Sequence, residues 1–339
     1  MYLCYSCMRE IGSANATCPH CGYDNRVRKN GPGFLGEVVL NKQYLIGRVL
    51  GRGGFGITYI GYDMNMRRRV AVKEYYPSTL AFRSKDDISM SAITGSEENY
   101  LKGCKRAFRE GRIAAELGKT PGVVEVYTVF PENNTVYIVM EYIDGLTLSG
   151  YVSRRQNKLT LSEMLYMLAP VANALQILHA RGIIHRDVKP ENIMIRSETK
   201  QGVLLDFGAA RMMDGTTLGF SSAVVSPGYA PPEQYNSMAL DGRMDEYALA
   251  ATMYFALTGQ RPLDAMSRVA SGDSMRAIAE FNPGIAADVD KILRKAMSLR
   301  AAERYDSVKV IITEEVDNMI THNIFYTAIT RSKKHLKIY

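Results

Sequence analysis

The 339-residue sequence has no uninterrupted apolar run long enough to cross a bilayer. Its longest stretch of that kind, YALAATMYFAL at 247–257, is about half of what a spanning helix needs and reads as a buried core helix. The N-terminus, MYLCYSCMRE, lacks the basic region and long apolar segment of a secretory signal. On these grounds the chain is expected to be soluble and cytoplasmic, with no membrane span. Cysteine is scarce beyond the start: four of the five lie within the first 21 residues, and Cys104 stands alone. That distribution argues against a disulfide framework and for a reducing compartment with a metal site. With 46% hydrophobic and 23% charged residues the composition is globular rather than disordered. The net charge of +7 is compatible with an anionic ligand, but ordinary surface charge is the preferred reading.

What is present begins with CYSC at 4–7 and CPHC at 18–21, a C-x2-C-x10-C-x2-C pattern. Each C-x2-C turn can aim two sulfurs at one ion, and two such turns complete a tetrahedral zinc site through Cys4, Cys7, Cys18 and Cys21. Gly22 suits the tight turn after the second pair, and His20 is expected to point away from the metal. A segment this short has almost no core, so metal binding would supply most of its folding energy. The redox reading of C-x2-C needs a surrounding βαβ unit, which is absent. We therefore expect a structural zinc ribbon over 1–25, followed by a polar, basic linker over 26–42.

In YLIGRVLGRGGFGITYIGYD, 44–63, alternating apolar residues flank a glycine cluster, which predicts a β-hairpin with a glycine-rich tip. The pattern G-x-G-x-x-G falls on Gly51, Gly53 and Gly56. A strand-like ITYIGYD follows rather than a helix, which excludes a dinucleotide-binding turn. The backbone of such a loop can close over phosphates. The next strand carries Lys73 in VAVK, placed to reach α- and β-phosphates if a carboxylate holds it. The predicted helix KRAFREGRIAAEL, 105–117, supplies Glu110 and Glu116 as candidates, with Glu110 preferred and Phe108, Ile113 and Leu117 marking the buried side.

HRDVKPENIMI, 185–195, and LLDFGAA, 204–210, interlock chemically. Asp187 can accept a hydroxyl proton, and Lys189 can neutralise charge on a transferring phosphoryl group. Asn192 and Asp206 can offer oxygen ligands to Mg²⁺ (or Mn²⁺), and Gly208 after Phe207 permits the backbone to aim Asp206.

With these strings in order, residues 43–304 resemble the eukaryotic-like (Hanks-type) serine/threonine protein kinases in their bacterial form. The resemblance rests on GRGGFGIT, VAVK, Glu110, VYIVMEYIDG, HRDVKPEN, DFG and SPGYAPPEQY. It implies an α+β fold, a bilobal kinase preceded by the small zinc ribbon, with a small lobe over 43–143 and a large lobe over 144–304. It implies ATP binding by Leu50, Gly51, Gly53, Gly54, Phe55, Gly56, Thr58, Ala71, Lys73, Glu110, Met140, Glu141, Ile143 and Met194. Met140 would be the gatekeeper, Glu141–Ile143 would meet adenine through their backbone, and Ala71 and Met194 would enclose the ring. His185 and Arg186 would shape the catalytic loop, Asp245 would brace it, and Glu233 with Arg304 would secure the end of the activation segment. The implied partners are proteins bearing Ser or Thr, with self-association for autophosphorylation. Thr216, Thr217, Ser221, Ser222 and Ser226 are the candidate acceptors, and Arg186 could bind a phosphate placed there.

The departures are specific. Thr58 replaces the usual valine after the glycine loop, and Ser226 the usual threonine of the GTPGY-like motif. Residues 74–104 are longer than usual between lysine and helix, and KEYYP with GGFGITY resembles a bacterial subgroup carrying that insertion. The alternative to an active kinase is a pseudokinase scaffold, which loss of Lys73, Asp187 or Asp206 would favour; all three are present.

After residue 304 the sequence changes character. SVKVIIT and FYTAITRSKKHLKIY resemble the nucleotide-sensing end of superfamily-one DNA helicases, where Arg331 would contact a γ-phosphate. The rest of such a motor is missing, so a nucleic-acid-associated ATPase is the lesser alternative. A basic helix there could touch nucleic acid or acidic lipid through Lys333, Lys334 and Lys337. If the tail docks on the large lobe, Ile324, Phe325, Ile329 and Leu336 should be buried there.

Overall fold

The computed structural model describes residues 2–27, 33–54, 56–156, 158–212, 225–235 and 241–305. Every expectation for the tail beyond residue 305, and those for Phe55, Thr216, Thr217, Ser221 and Ser222, falls outside them. Two units are present, Met1–Gly118 with Glu125–Ile143, and Lys119–Val124 with the chain from Asp144 onward. The short stretch 119–124 joins the second unit because Val123 bridges Leu204 in parallel and the Leu204 N–H donates to the Gly122 carbonyl at 2.8 Å.

The first unit opens with β1 (Tyr2–Leu3) and β2 (Glu10–Ile11), an antiparallel pair that carries the first cysteine turn. Five further strands follow: β3 (Val39–Leu40), β4 (Tyr44–Arg52), β5 (Gly56–Asp63), β6 (Arg68–Tyr75) and β7 (Ala81–Arg83). After them come β8 (Met90–Ala92), α1 (Glu97–Glu116), β9 (Val126–Glu132) and β10 (Thr135–Glu141). The main sheet has six strands in the order β3-β4-β5-β6-β10-β9. The expected hairpin is present as β4 and β5, paired antiparallel from Tyr44↔Asp63 to Arg52↔Ile57. Val70 and Val72 of β6 are fully buried, and Gly61 is needed beneath them, since a Cβ there would lie 3.1 Å from a methyl of each.

Helix α1 begins eight residues earlier than its sequence pattern indicated and turns a partly different face inward. Its buried residues are Tyr100, Gly103, Ala107, Glu110, Gly111 and Ala114, and Leu117 at its C-cap is buried as expected, whereas Phe108 and Ile113 are only half-buried. The apolar pattern misleads because small residues make the contact. A Cβ at Gly103 would fall 1.9 Å from the Tyr75 hydroxyl, and one at Gly111 would fall 2.9 Å from a Val129 methyl, so the helix lies close upon the sheet.

The long 74–104 segment has its own anchor. Strands β7 and β8 pair antiparallel, and Arg83 turns inward to meet Glu74 with both carboxylate oxygens at 2.7 and 2.5 Å. Tyr59 and Tyr137 donate their hydroxyls to the same carboxylate at 3.0 Å each. Arg83 also donates to the Ile88 carbonyl at 2.8 Å, so the hairpin's only inward charge is tied both to the sheet and to its own loop. Tyr75 and Tyr100 stack with ring centroids 5.8 Å apart, joining the start of the insertion to α1.

The second unit contains β11 (Gly145–Thr147), α2 (Leu148–Arg154), α3 (Leu161–Ala180), β12 (Ile183–Ile184), β13 (Ile193–Arg196) and β14 (Gly202–Leu204). Strands β11, β13 and β14 form one three-stranded sheet. Five helices follow among the described residues after β14: α4 (Pro232–Tyr235), α5 (Arg243–Thr258), α6 (Ala265–Ala270), α7 (Ile278–Phe281) and α8 (Ala287–Ala296). Thr160 starts α3 with a capping box: it accepts from the Glu163 N–H at 3.2 Å while the Glu163 carboxylate accepts from the Thr160 N–H at 3.0 Å. Helix α5 contains YALAATMYFAL, is buried along nearly its whole length, and ends on Gly259 at φ 68°, as the core reading required.

The expectation that nothing here has membrane-spanning length needs correction. Helix α3 has 20 residues with a mean hydropathy of 1.3, enough by length and composition to span a bilayer. Glu163 and Pro170 break up its apolar pattern in the sequence. Half of it is buried, where it packs on β14, β12 and α5, so here it serves as a core helix.

Candidate active site

In the first unit the glycine loop projects from the β4–β5 turn and is closed by the Gly53 N–H donating to the Gly56 carbonyl at 2.8 Å. Only Gly56 is sterically obliged by the protein itself: a Cβ there would lie 2.5 Å from the Glu74 carbonyl oxygen. Gly51, Gly53 and Gly54 face open space, so their lack of a Cβ leaves backbone exposed to a ligand rather than to packing. Thr58 is paired with Lys73 across β5 and β6, and Ala71 with Met140 across β6 and β10. Lys73 Nζ stands 3.7 Å from Glu110 Oε1, with Glu110 almost wholly buried. Glu116, the other acidic candidate, is exposed and 4.0 Å from Arg112. Leu50 is exposed, Ile143 is buried, and the Glu141 N–H is occupied by the Glu125 carbonyl at 2.8 Å.

The same unit holds the cysteine turns. Four sulfurs, from Cys4, Cys7, Cys18 and Cys21, lie within 4.8 Å of one another. The two turns repeat one geometry. The Cys4 carbonyl accepts from the Met8 N–H at 2.7 Å and the Cys18 carbonyl from the Gly22 N–H at 2.9 Å. Met8 and Gly22 both take positive φ, 55° and 70°. His20 is exposed and outside the group. Burial pushes the Cys4 thiol up to about 12. At Cys18 burial acts upward too, but the His20 and Cys21 N–H groups prevail and bring it down to about 7. An all-sulfur tetrad of this span suits a soft divalent ion such as zinc.

In the second unit, donors converge on Asp187. Lys189 Nζ reaches both carboxylate oxygens at 2.8 Å, Asn192 Nδ2 reaches Oδ2 at 2.7 Å, and Ser226 Oγ donates to Oδ1 at 2.7 Å. Lys189 also donates to Ser226 Oγ at 2.9 Å. Ser226 is thus part of the cluster rather than an outlying hydroxyl. Asn192 Nδ2 donates as well to the Asp187 carbonyl at 2.9 Å, which leaves the amide oxygen as the atom able to meet a cation. Asp206 is exposed at φ 56°, with Oδ1 accepting from the Gly208 N–H at 3.0 Å. These oxygens fit a hard cation such as Mg²⁺. Met194 is half-buried on β13, opposite Val203 of β14.

The loop is held from behind by Asp245 on α5, which is fully buried. Its oxygens accept from the His185 N–H at 2.8 Å, the Arg186 N–H at 2.7 Å and His179 Nε2 at 2.8 Å. Gln234 Nε2 donates to the Arg186 carbonyl at 2.9 Å, so both sides of this residue, strained at φ 67°, are clamped. His185 Nε2 meets the Leu205 carbonyl at 3.0 Å and so carries the proton, while Nδ1 accepts from the Asp187 N–H at 3.3 Å. The Phe207 ring packs edge-on to His185 with centroids 5.2 Å apart. Arg304 grips both oxygens of Glu233 at 2.5 and 3.0 Å. His179 and Gln234 had no signal in the sequence: their partners lie 66 and 48 residues away.

Burial raises the Asp245 carboxyl, but the His179 bond, the nearby histidines and the loop N–H groups outweigh it, and the net shift is downward. A depressed folded value stabilises the protein fully above the ordinary unfolded carboxylate value of about 3.9 and loses that contribution as pH falls through the folded value. Melting curves between about pH 5 and 2 should show an acid slope, and Asp245→Asn should lose part of it. An unchanged slope in that variant would remove Asp245 from the acid response.

A family profile described as "Protein kinase domain" matches residues 44–314. The chain is 30% identical over 287 residues to the serine/threonine-protein kinase PknA of Nostoc sp., covering 81% of this chain and 47% of that one. It is 32% identical over 281 residues to the serine/threonine-protein kinase PknB of Mycobacterium tuberculosis, covering 79% of this chain and 41% of that one. The chain therefore spans less than half the length of these curated relatives. A solved structure titled "PpkA-294 apo form" superposes with a TM-score of 0.70 at 26% identity, covering 88% of this chain and all of that one. The protein kinase profile runs through SVKVIIT and ends at residue 314, and none of these matches supports the helicase-like reading of the tail. By its matched length and by the arrangement around Asp187, the chain belongs to the protein kinase domain family.

Proposed function

We propose that this chain is an active serine/threonine kinase, transferring the γ-phosphoryl group of ATP to protein hydroxyls. The observation that carries the reading is the Asp187–Lys189–Asn192–Ser226 cluster, in which three side chains orient one carboxylate. In this reading Asp187 orients the acceptor hydroxyl and takes its proton, and Lys189 offsets charge on the phosphoryl oxygens. Lys73, steadied by Glu110, and the glycine loop hold the phosphates, while Ala71, Met140, Glu141, Ile143 and Met194 serve the adenine. Asn192 and Asp206 would hold Mg²⁺, which supplies charge neutralisation on the phosphates when bound. Ser226 positions Asp187 and Lys189 and is a poor acceptor for phosphate, which leaves Thr216, Thr217, Ser221 and Ser222 for autophosphorylation. The serine/threonine names of the relatives and the lysine at 189 support that substrate class. A peptide-phosphorylation assay with radiolabelled ATP should show transfer dependent on Mg²⁺ or Mn²⁺. ATP binding without transfer would favour the pseudokinase scaffold.

We further assign a structural zinc ion to the cysteine tetrad and a reducing, cytoplasmic setting to the chain, supported by five free cysteines. The purified protein should carry about one zinc per chain, and chelation should unfold the ribbon, because metal binding supplies most of the folding energy of so small a segment. Elemental analysis finding no metal in protein made under reducing, zinc-replete conditions would refute the assignment.

A further inference from the structure

Strand β3 pairs Val39 with Leu45 and Leu40 with Tyr44, and the Val38 carbonyl before it accepts from the Ile46 N–H at 2.9 Å, so β4 is covered only as far as Ile46. Beyond that point the outer edge of β4 would present unpaired backbone groups. The first cysteine turn fills the gap. The Tyr5 carbonyl accepts from the Arg48 N–H at 2.8 Å, and the Ser6 carbonyl accepts from Arg48 Nε at 2.8 Å. Both carbonyls lie between the metal ligands Cys4 and Cys7, so the turn that would bind the metal is also the turn that completes the sheet. The β4–β5 register shifts between Ile46 and Val49, which is where this docking occurs.

The seam is tight and apolar. Met8 is buried with Ile60 and Tyr62, and Leu3, Tyr5 and Leu45 pack around them. Gly47 is required there: a Cβ would fall 2.3 Å from both Met8 Cε and the Tyr5 carbonyl oxygen. Further along the β4–β5 hairpin the linker takes a second hold. Leu35 is fully buried and donates its N–H to the Tyr59 hydroxyl at 3.2 Å. The adjacent Phe34 ring lies 5.8 Å from the guanidinium of Arg52, which also stands 5.7 Å from the Tyr76 ring. Arg52 sits between Gly51 and Gly53 of the glycine loop. The N-terminal extension thus grips the β4–β5 hairpin at two places, at Arg48 before the loop and at Arg52 and Tyr59 around it.

We infer that the cysteine ribbon and linker act as a brace for the glycine loop, so that ATP affinity depends on the ribbon being folded and docked. This rests on the zinc reading for what folds the ribbon, while the docking itself stands on the contacts around Gly47 and Arg48. These residues are positioning residues, since none has been placed against ATP. A ribbon that serves as an independent recognition module would instead leave ATP binding unaffected when undocked.

Two variants test the seam from opposite sides, Gly47→Val on the strand and Met8→Ser on the ribbon, so that either one suffices if the other folds poorly. The full chain should keep its zinc in both. The Kd and KM for ATP should rise about five- to tenfold with kcat at saturating ATP within about twofold, as expected for lost uniform binding. Amide exchange across 44–54 should quicken, and chelating the metal from the wild type should quicken it in the same segment. Zinc-loaded variants with wild-type ATP affinity and wild-type exchange would overturn the brace, as would a chelated wild type whose 44–54 exchange is unchanged. Wild type purified without metal would sink the zinc reading alone, and the seam variants would still decide the brace.

Discussion

Asp187→Asn is expected to lower phosphoryl transfer by about a thousandfold, within the range of 10²–10⁴ that a positioned general base contributes. The change keeps size and shape. An amide oxygen can still accept from Lys189 and Ser226, but the amide nitrogen would face Asn192 Nδ2, which now donates to Oδ2 at 2.7 Å. Two donors would oppose each other there, and the acceptor hydroxyl would lose the group that takes its proton. The melting temperature should move little, because the loop is held by Asp245 and Gln234 rather than by its own carboxylate. ATP affinity should also stay near wild type, since the phosphate-holding residues are elsewhere. Steady-state kinetics with a peptide acceptor, beside thermal melting, checks all three expectations. Transfer at near wild-type rate by the variant would remove Asp187 from its assigned role.

Arg83→Met should destabilise the first unit by about 3–5 kcal/mol, the usual cost of leaving one member of a buried ion pair behind. Arg83 and Glu74 side chains are 2% and 0% exposed, so water cannot replace the lost partner. Tyr59 and Tyr137 would still donate to Glu74, but their hydroxyls cannot neutralise it. The hairpin of β7 and β8 would also lose its tie to β6. Adding Glu74→Gln to Arg83→Met should recover a large part of the loss, because the uncompensated charge is then gone. Chemical denaturation of the single and double variants measures this. A single variant within about 1 kcal/mol of wild type would mean that the pair contributes little beyond what a well-packed apolar pair would.

This buried pair shows what was legible in advance. KEYYP was visible as an unusual string, and the long spacing after Lys73 was visible as an insertion. That Glu74 would be neutralised by Arg83, and that two tyrosines from distant strands would complete its shell, was not. Nothing in the sequence links residues 74 and 83; the folded chain brings them together. The face of α1 was misjudged for a related reason: apolar periodicity weights Phe108 and Ile113, while the close contact is made by Gly103, Ala107 and Gly111. Ser226 read as one hydroxyl among five, and only its position between Lys189 and Asp187 separates it from the others.

By itself the sequence determined the family, the order of its chemical strings and the four-cysteine tetrad. Those depend on residues a few positions apart, whose spacing already restricts what a loop, strand or turn can present. Tertiary structure decided which further side chains hold those strings in place: His179 and Gln234 behind the catalytic loop, Arg83 under Glu74, and the cysteine turn against Gly47 and Arg48. Apart from Arg83 and Glu74, which are nine residues apart, these partners are separated by tens of residues, and the free energy that selects them comes from burial. A carboxylate, guanidinium or backbone N–H removed from water must find a partner, and only the folded chain shows which one is within reach.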